Sequence, residues 1–518
     1  MDLIYQTTYQ IYLKHQQYPD ALLLAQKLNN QDFINETMAS CSDPVVTKQL
    51  CLMLGRQRNA FETDNEDLQK IISYEELSKH FKDLARDLDV LKPKAPEEVF
   101  KSHLEEKKAD ETKLDSHQVN LSITYANGFI NAGFSSDSLM LKESSQQDEW
   151  IWKNKESGQT AAAASMGLLM LWDIEEGLDK IDKYMESSND LIRAGGYMAF
   201  GLINSGIKNE NDPVFAILSE KLEAASDYEK IGALMGLSFT YAGSQREDIL
   251  ELVSPMILDG DNSMELIATA ALALGFIFIG SCSEEVSSSI VQALMERGEI
   301  DLNSPYTKFL ALGLGLLFFG KQDDAMASLE FLKVIEHPIR EYIEILLEGC
   351  AFACTGNVLK IQKMLHLCSE HRDEKENSEA QTAAVIAIAL ISFGEDTGTQ
   401  MCRRVVSHII QYGEPKLKRM VPLALSLLGV TKPDNIMMDL LQKLSYDSDL
   451  TVSVNAIFAM GVVWSGTNNS RLAGSLRTLA SFYNRDPHNL FMVRVAQGLS
   501  HMGKGLINIQ PLHSDKFL

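Results

Sequence analysis

A small-residue motif that closes on glycine recurs along most of the chain and restricts its fold more than any other feature. Successive closing glycines are separated by 37, 37, 40, 36, 38, 35, 37 and 37 residues, and they are Gly206, Gly243, Gly280, Gly320, Gly356, Gly394, Gly429, Gly466 and Gly503. An earlier copy is indicated by Gly167, which lies 34 residues before Gly201. A nearly constant period of this length is typical of a repeat array.

Each repeat is long enough for two helices and their turns, because a helix advances one turn every 3.6 residues. An apolar segment such as ALALGFIFIG alternates with an amphipathic one such as EVSSSIVQALMERG. The pattern therefore predicts an all-α solenoid of helical hairpins of about 37 residues. Glycine in a helix costs about 1 kcal/mol relative to alanine, so we expect close packing between helix backbones to offset it. We also expect the closing glycines to adopt left-handed backbone conformations at the helix ends.

The chain divides into four predicted regions. Residues 1–61 read as a further, atypical helical solenoid piece, and residues 62–118 as a charged connector with partial helix. Residues 119–505 hold the repeat array, and residues 506–518 form a C-terminal tail. A loop that begins at His371 is expected to be mobile, since it is rich in charged and polar residues.

Composition excludes several functions. The chain has 47 Lys and Arg against 71 Asp and Glu, a net charge of -24, which repels the phosphates of nucleic acids. Seven cysteines in 518 residues, with no signal peptide, predict a reducing compartment, the cytoplasm or nucleus. The longest uncharged run, residues 266–282, is borderline for a membrane span. We interpret it as a buried repeat helix, since similar shorter runs recur in the array.

Two segments nearly match the phosphate-binding loop G-x-x-x-x-G-K-[ST]. They are GLSHMGKG, Gly498 to Gly505, and GLLFFGKQ, Gly315 to Gln322, and both lack the hydroxyl residue that binds magnesium. Both arise because the repeat itself spaces two glycines five residues apart. Neither predicts nucleotide binding.

Cysteine and histidine side chains occur together in one repeat, where Cys350, Cys354, His366, Cys368 and His371 lie within 22 residues. Thiolates and imidazoles are zinc ligands, but this spacing fits no common zinc motif. Cys354 lies two residues before the closing glycine, a packing position that other repeats fill with aromatic residues. We therefore expect core cysteines, with no metal and no cofactor, and the absence of a recognisable catalytic set predicts that the protein is not an enzyme.

Several segments between Cys41 and Gly505 resemble the proteasome/cyclosome repeat family. They are SCSDPVVTKQLCLMLGRQ, WKNKESGQTAAAASMGLLMLWDIEEGLDKIDKY, LHLCSEH, GEPKLKRMVPLALSLL, GTNNSRLAGSLR and NLFMVRVAQGLSHMGKG. The resemblance covers nearly the whole chain. It implies a ring of helical hairpins that lies beside the proteasomal ATPases, contacts other regulatory-particle subunits, and receives ubiquitin and the ubiquitin-like domains of shuttle proteins. Relative to the family pattern, the sequence looks truncated at both ends.

The segment PDNIMMDLLQKLSYDSD, from Pro433 to Asp449, is the candidate docking surface. Read as a helix, it places an apolar stripe opposite a polar face. On sequence alone this is an ordinary solvated helix face. The resemblance instead implies the family's receptor region for ubiquitin-like domains, and the candidate residues are Asp439, Tyr446, Asp447 and Asp449. Thr451 occupies a position where family members often carry an acid.

A second segment resembles the family's docking site for a deubiquitinase, and its candidate residues are Gln322, Asp323 and Asp324. The sequence therefore predicts a non-catalytic scaffold of the proteasome regulatory particle. A general helical-repeat adaptor in transport or coat assembly is the alternative, because it would share both the solenoid and the acidity.

Overall fold

The computed structural model describes residues 2–56, 61, 63, 65–104, 116–141, 147–209, 211–224, 226–371, 378–432 and 434–512. All regular elements within these ranges are helices, which confirms the all-α prediction. The chain forms two compact units. The first contains residues 1–83 and 206–213, and the second contains residues 84–205 and 214–518.

The first unit is a small helical cluster. Its helices are α1 (Asp2–Lys14), α2 (Tyr18–Lys27), α3 (Gln31–Ser40), α4 (Pro44–Arg56) and α5 (Glu66–Ile72), and α6 (Leu77–Asp87) crosses its boundary. The ring of Tyr9 stacks on Phe33 with centroids 4.2 Å apart, and its hydroxyl donates to the Phe33 carbonyl at 2.7 Å. The amide of Lys208 donates to the carbonyl of Ser73 at 2.9 Å, which ties residues 206–213 to this unit.

The described part of the second unit contains eleven apolar helices, which we call the core helices. They are α8 (Ser116–Ile130), α10 (Ser157–Leu169), α12 (Asp190–Ile203), α14 (Asp227–Tyr241), α16 (Met264–Ile277), α19 (Thr307–Leu317), α21 (Ile339–Ala351), α23 (Ser378–Ser392), α25 (Pro415–Leu428), α27 (Leu450–Val463) and α29 (Pro487–Ser500). The uncharged run at 266–282 lies largely in α16, as predicted.

A second helix follows most core helices, and we call this set the covering helices. They are α11 (Ile174–Met185), α13 (Pro213–Lys221), α15 (Glu247–Leu258), α17 (Glu284–Glu296), α20 (Met326–Leu332), α22 (Val358–Ser369), α24 (Asp396–Tyr412), α26 (Asn435–Leu444) and α28 (Ser470–Phe482). Three shorter helices are α7 (Pro96–Phe100), α9 (Gln147–Trp152) and α18 (Glu299–Leu302). Core and covering helices together form the predicted hairpins.

Each core helix packs against the next core helix along the chain, and α29 also packs against α8. Glycines let these helices approach closely. A β-carbon added at Gly275 would lie 2.7 Å from the Cα of Gly313, and one added at Gly313 would lie 2.5 Å from the Ala271 carbonyl oxygen. The predicted close packing of backbones is confirmed. It accounts for glycine in helices where alanine has the higher intrinsic propensity.

Eight of the nine closing glycines have positive φ, as predicted. The exception is Gly429, where φ is -119°, and the left-handed residue of that turn is Thr431. Thr431 lies three residues beyond the end of α25, as Gly280 and Gly466 lie three residues beyond the ends of α16 and α27, so threonine here has the turn position that glycine has in those repeats. Elsewhere the turn amides reach the next core helix. Gly243 donates to the carbonyl of Phe276 at 2.9 Å, and Gly280 to that of Leu316 at 3.0 Å. These bonds satisfy carbonyls at helix ends that lack partners within their own helix.

The residues outside the described ranges include 105–115 of the predicted connector, 372–377 of the loop after His371, and 513–518 of the tail. The domain boundaries remain predictions. Within the described ranges, a search for a helix with the length and apolarity of a membrane span found none.

Candidate docking site

Helix α26 packs its apolar side chains into the core of the second unit. Met437, Met438, Leu441 and Leu444 are buried, so the apolar stripe faces inward. The side chain of Asp434 accepts the amide of Ile436 at 3.1 Å and caps the helix. The polar face that remains is the candidate docking surface.

The observed helix is shorter than the predicted one, which spanned the whole segment, and this corrects the placement of two candidate residues. Helix α26 ends at Leu444, so Tyr446 and Asp447 lie in the turn that leads to α27 and not on the helix face. The chain turns here because Asp449 begins the next helix, where its carboxylate accepts the amide of Thr451 at 2.9 Å.

Tyr446 lies against an aromatic residue of the next repeat. Its ring contacts that of Phe482 edge to face, with centroids 5.1 Å apart and planes at 78°. Phe482 in turn contacts the ring of Tyr483 at 4.8 Å, and the Tyr483 hydroxyl donates to the Ser445 carbonyl at 2.6 Å. Tyr446 is 39% exposed and Phe482 is 61% exposed. These two exposed rings lie in contact at the surface, and we call them the aromatic pair.

Two candidate carboxylates are already paired with arginines of neighbouring helices. Arg471 donates to Asp439 at 2.8 Å, and Arg419 donates to Asp449 at 2.8 Å. The hydrogen bond from Arg419 holds the pKa of the Asp449 carboxyl below its ordinary value. Both pairs are solvent-accessible, so each contributes little to stability. They fix the directions of the two carboxylates.

Asp447 is the candidate acid that lies most directly beside Tyr446. It is exposed, and its carboxylate accepts the backbone amide of Asp449 at 2.9 Å. The exposed side chain of Leu450 follows one turn later. The turn thus places Tyr446 of the aromatic pair, one exposed aliphatic side chain and one exposed carboxylate close together in the chain.

Sequence reasoning missed three residues of this surface, Phe482, Arg471 and Arg419. Phe482 follows Tyr446 by 36 residues, close to one repeat period, so the period itself could have placed the two rings side by side. The arginines follow no such offset, since Arg471 lies 32 residues after Asp439 and Arg419 lies 30 residues before Asp449.

The second candidate site lies in a 3₁₀ turn over Gln322–Ala325 that precedes α20. Gln322 has a φ of 55°, and the side chains of Gln322, Asp323 and Asp324 are all exposed. This turn therefore presents two carboxylates to solvent.

The residues considered for metal or phosphate binding have other contacts. Cys350 is packed in the core, and burial raises the pKa of its thiol to about 12. A search of the described residues finds no three His, Cys, Asp or Glu side chains that could share a metal ion. The ammonium group of Lys504, in the Gly498–Gly505 near match, contacts three backbone carbonyls.

Comparison with known proteins gives the same family along the whole chain. Residues 2–105 match the model of the RPN1 N-terminal domain. The chain is 43% identical to the 26S proteasome regulatory subunit rpn-1 of Neurospora crassa over 98% of its length, and 44% identical to the 26S proteasome non-ATPase regulatory subunit 2 of Dictyostelium discoideum over 98%. The chain is a homologue of the proteasome subunit Rpn1. A homologue from Arabidopsis thaliana is 42% identical over the entire chain.

The chain spans just over half of each Rpn1 relative: 58% of the Neurospora protein, 56% of the Dictyostelium protein and 59% of the Arabidopsis one. These relatives are named as regulatory or non-ATPase subunits of the 26S proteasome. The shared length includes the first unit, the core helices and both candidate sites.

Proposed function

We propose that the chain is a non-catalytic scaffold of the proteasome regulatory particle that docks ubiquitin and ubiquitin-like domains beside the ATPase subunits. Identity of about 43% to Rpn1 proteins over nearly the whole chain is the observation that carries this proposal. The proposal implies a cytoplasmic and nuclear protein. The identity to Rpn1 proteins favours a proteasome subunit over the alternative of a transport or coat adaptor.

Affinity purification of the tagged chain from its own cells, followed by mass spectrometry, tests the assembly. We expect proteasomal ATPases and other regulatory-particle subunits to be recovered in near-stoichiometric amounts. Recovery of coat or transport proteins without any proteasomal ATPase would overturn the scaffold assignment.

We also propose that the core helices close into a ring. The packing of α29 against α8 supports closure, because it joins the first core helix to the last. The backbones approach closely there, since a β-carbon added at Gly498 would lie 2.7 Å from the Cα of Ala126. The rings of Tyr125 and Phe491 also meet edge to face, with centroids 6.2 Å apart.

The aromatic pair and Asp447 fit a partner that has an apolar patch with a basic rim, which is the surface chemistry inferred for ubiquitin-like domains. Aromatic anchors carry a large share of interface energy, whereas charges at a rim mainly alter association rate and salt dependence. In this proposal Tyr446 is the anchor, and Asp439, Asp447 and Asp449 supply the acidic rim. Gln322, Asp323 and Asp324 form the second site, for a deubiquitinase.

Replacing Tyr446 with alanine is expected to weaken binding of a labelled ubiquitin-like domain about 30-fold, equivalent to about 2 kcal/mol, because an anchor between Phe482 and the partner is lost. Asp447→Arg is expected to have a smaller effect that fades at high salt. Fluorescence titration at low and high salt measures both changes.

The matched controls are Tyr228→Ala and Asp261→Arg, since both residues are exposed and lie on other repeats. Wild-type affinity is expected for both controls. If Tyr446→Ala and Asp447→Arg remain folded and also bind as the wild type does, the receptor site lies elsewhere on the chain.

A further inference from the structure

The segment before the first core helix lies along the contact between α8 and α29. Lys94 and Asn131 are joined by two reciprocal hydrogen bonds: the Lys94 amide donates to the Asn131 side chain at 3.1 Å, and that side chain donates back to the Lys94 carbonyl at 2.9 Å. Asn131 directly follows α8 and is fully buried. The segment is therefore fixed to the end of α8.

Helix α7 continues this segment and contacts both core helices. Val99 and Phe100 are buried against Ala126 and Ile130 of α8. The guanidinium of Arg494, on α29, lies over the Phe100 ring at 4.7 Å. One short helix thus packs on α8 through apolar side chains and on α29 through a cation–π contact.

Lys504 fixes the segment from the other side. It lies just beyond α29 with a φ of 55°, and its ammonium group donates to the carbonyls of Val90, Leu91 and Lys92 at 3.0, 3.3 and 2.7 Å. The same group lies 3.6 Å from the centroid of the Phe134 ring. An ammonium has three donors, so these three carbonyls use all of them.

Contacts that hold two core helices together matter more between α8 and α29 than between any other two core helices. From α10 onward, core helices that are neighbours in the chain are joined through a covering helix and start about 37 residues apart, whereas α8 and α29 are more than 350 residues apart. The entropic cost of bringing two segments together grows with the length of chain between them. The contact between α8 and α29 therefore depends more on interactions other than chain connection.

We propose that residues 90–100 form a strap across the contact between α8 and α29, with Lys504 as its latch, and that this contact opens when the latch is released. Opening would expose the apolar faces of both helices while the remaining core helices stay packed. This inference goes beyond the proposed scaffold role and does not depend on it.

Hydrogen exchange measured by mass spectrometry on the full chain tests the latch. Lys504→Met keeps a long unbranched side chain and removes its three donors. We expect exchange at least 10-fold faster in peptides from α8 and α29 and unchanged in peptides from α19 and α21. Lys321→Met is the matched control, because Lys321 follows the closing Gly320 as Lys504 follows Gly503, and it is exposed.

A second variant separates the latch from general destabilisation. Phe100→Leu keeps an apolar side chain but removes the ring under Arg494, and we expect the same two helices to exchange faster. If either variant speeds exchange uniformly along the chain, or leaves α8 and α29 at the wild-type rate, the strap is an ordinary part of the packed surface and the proposal fails.

Discussion

Gly201→Ala is expected to lower the stability of the core-helix array by about 3 kcal/mol or more. A β-carbon at this position would lie 2.2 Å from the carbonyl oxygen of Gly236 and 2.4 Å from its Cα. Both are backbone atoms of α14, which cannot move aside as a flexible side chain can. Helix α12 would have to shift away from α14. The gain of about 1 kcal/mol in helix propensity is too small to compensate.

Gly474→Ala is the matched control, because Gly474 also lies inside a helix, α28, but no atom would lie within 4 Å of an added β-carbon. This variant is expected to gain up to about 1 kcal/mol from helix propensity. Urea denaturation followed by circular dichroism at 222 nm compares the two. Equal midpoints for both variants would contradict the packing explanation for the helical glycines.

The repeat was predictable from sequence because its glycines recur with a regular period. Gly201 and Gly206, five residues apart, show the two roles: the first lies where helices approach closely, and the second adopts a left-handed φ. Most motifs contain such a pair, although those that close on Gly394 and Gly429 lack the first glycine, and the period of the closing glycines is visible without any knowledge of neighbouring helices. Gly429 departs from the pattern, since it directly follows α25 and the left-handed residue of its turn, Thr431, lies two residues later.

The candidate docking site was predictable only in part. The apolar positions of α26 follow helical spacing, so burial of Met437 and Leu441 could be read directly. The end of the helix could not be predicted, because Ser445 and Tyr446 are compatible with both helix and turn. Ion pairs such as Arg471 with Asp439 depend on the lateral alignment of adjacent repeats, which the sequence of either helix does not specify.

Contacts between distant segments have no periodic signature. Lys504 reaches Val90 across more than 400 residues, and its motif resembled a phosphate-binding loop. Only the fold shows that its partners are backbone carbonyls. For the same reason composition predicts only a charged connector, although α7 within it packs against two core helices.

The double variant Lys360→Met with Lys363→Met is expected to lower stability at pH 7 by about 3–5 kcal/mol. Glu348 of α21 is only 4% exposed, and its two oxygens accept hydrogen bonds from Lys360 at 2.6 Å and Lys363 at 2.5 Å. Removing both lysines leaves a buried carboxylate without its ammonium partners. Guanidinium denaturation of the variant and the wild type measures the difference. Lys333→Met, which breaks the exposed pair with Glu330, is expected to change stability by less than about 1 kcal/mol.

The contribution of Glu348 to stability should change with pH in opposite directions in the wild type and in the double variant. Burial raises the pKa of Glu348, but the hydrogen bonds from Lys360 and Lys363 outweigh burial, and the net pKa lies below the ordinary value of 4.5. In the wild type this group therefore adds stability above pH 4.5 that is lost as the pH falls through the lowered pKa. Without the lysines, burial is unopposed and the pKa rises above 4.5, so acidification protonates the carboxylate and restores stability.

Adding Glu348→Gln to the double variant should recover much of the loss at pH 7 and abolish this gain on acidification. A double variant that unfolds at the wild-type midpoint at pH 7 would show that water, and not the two lysines, satisfies Glu348.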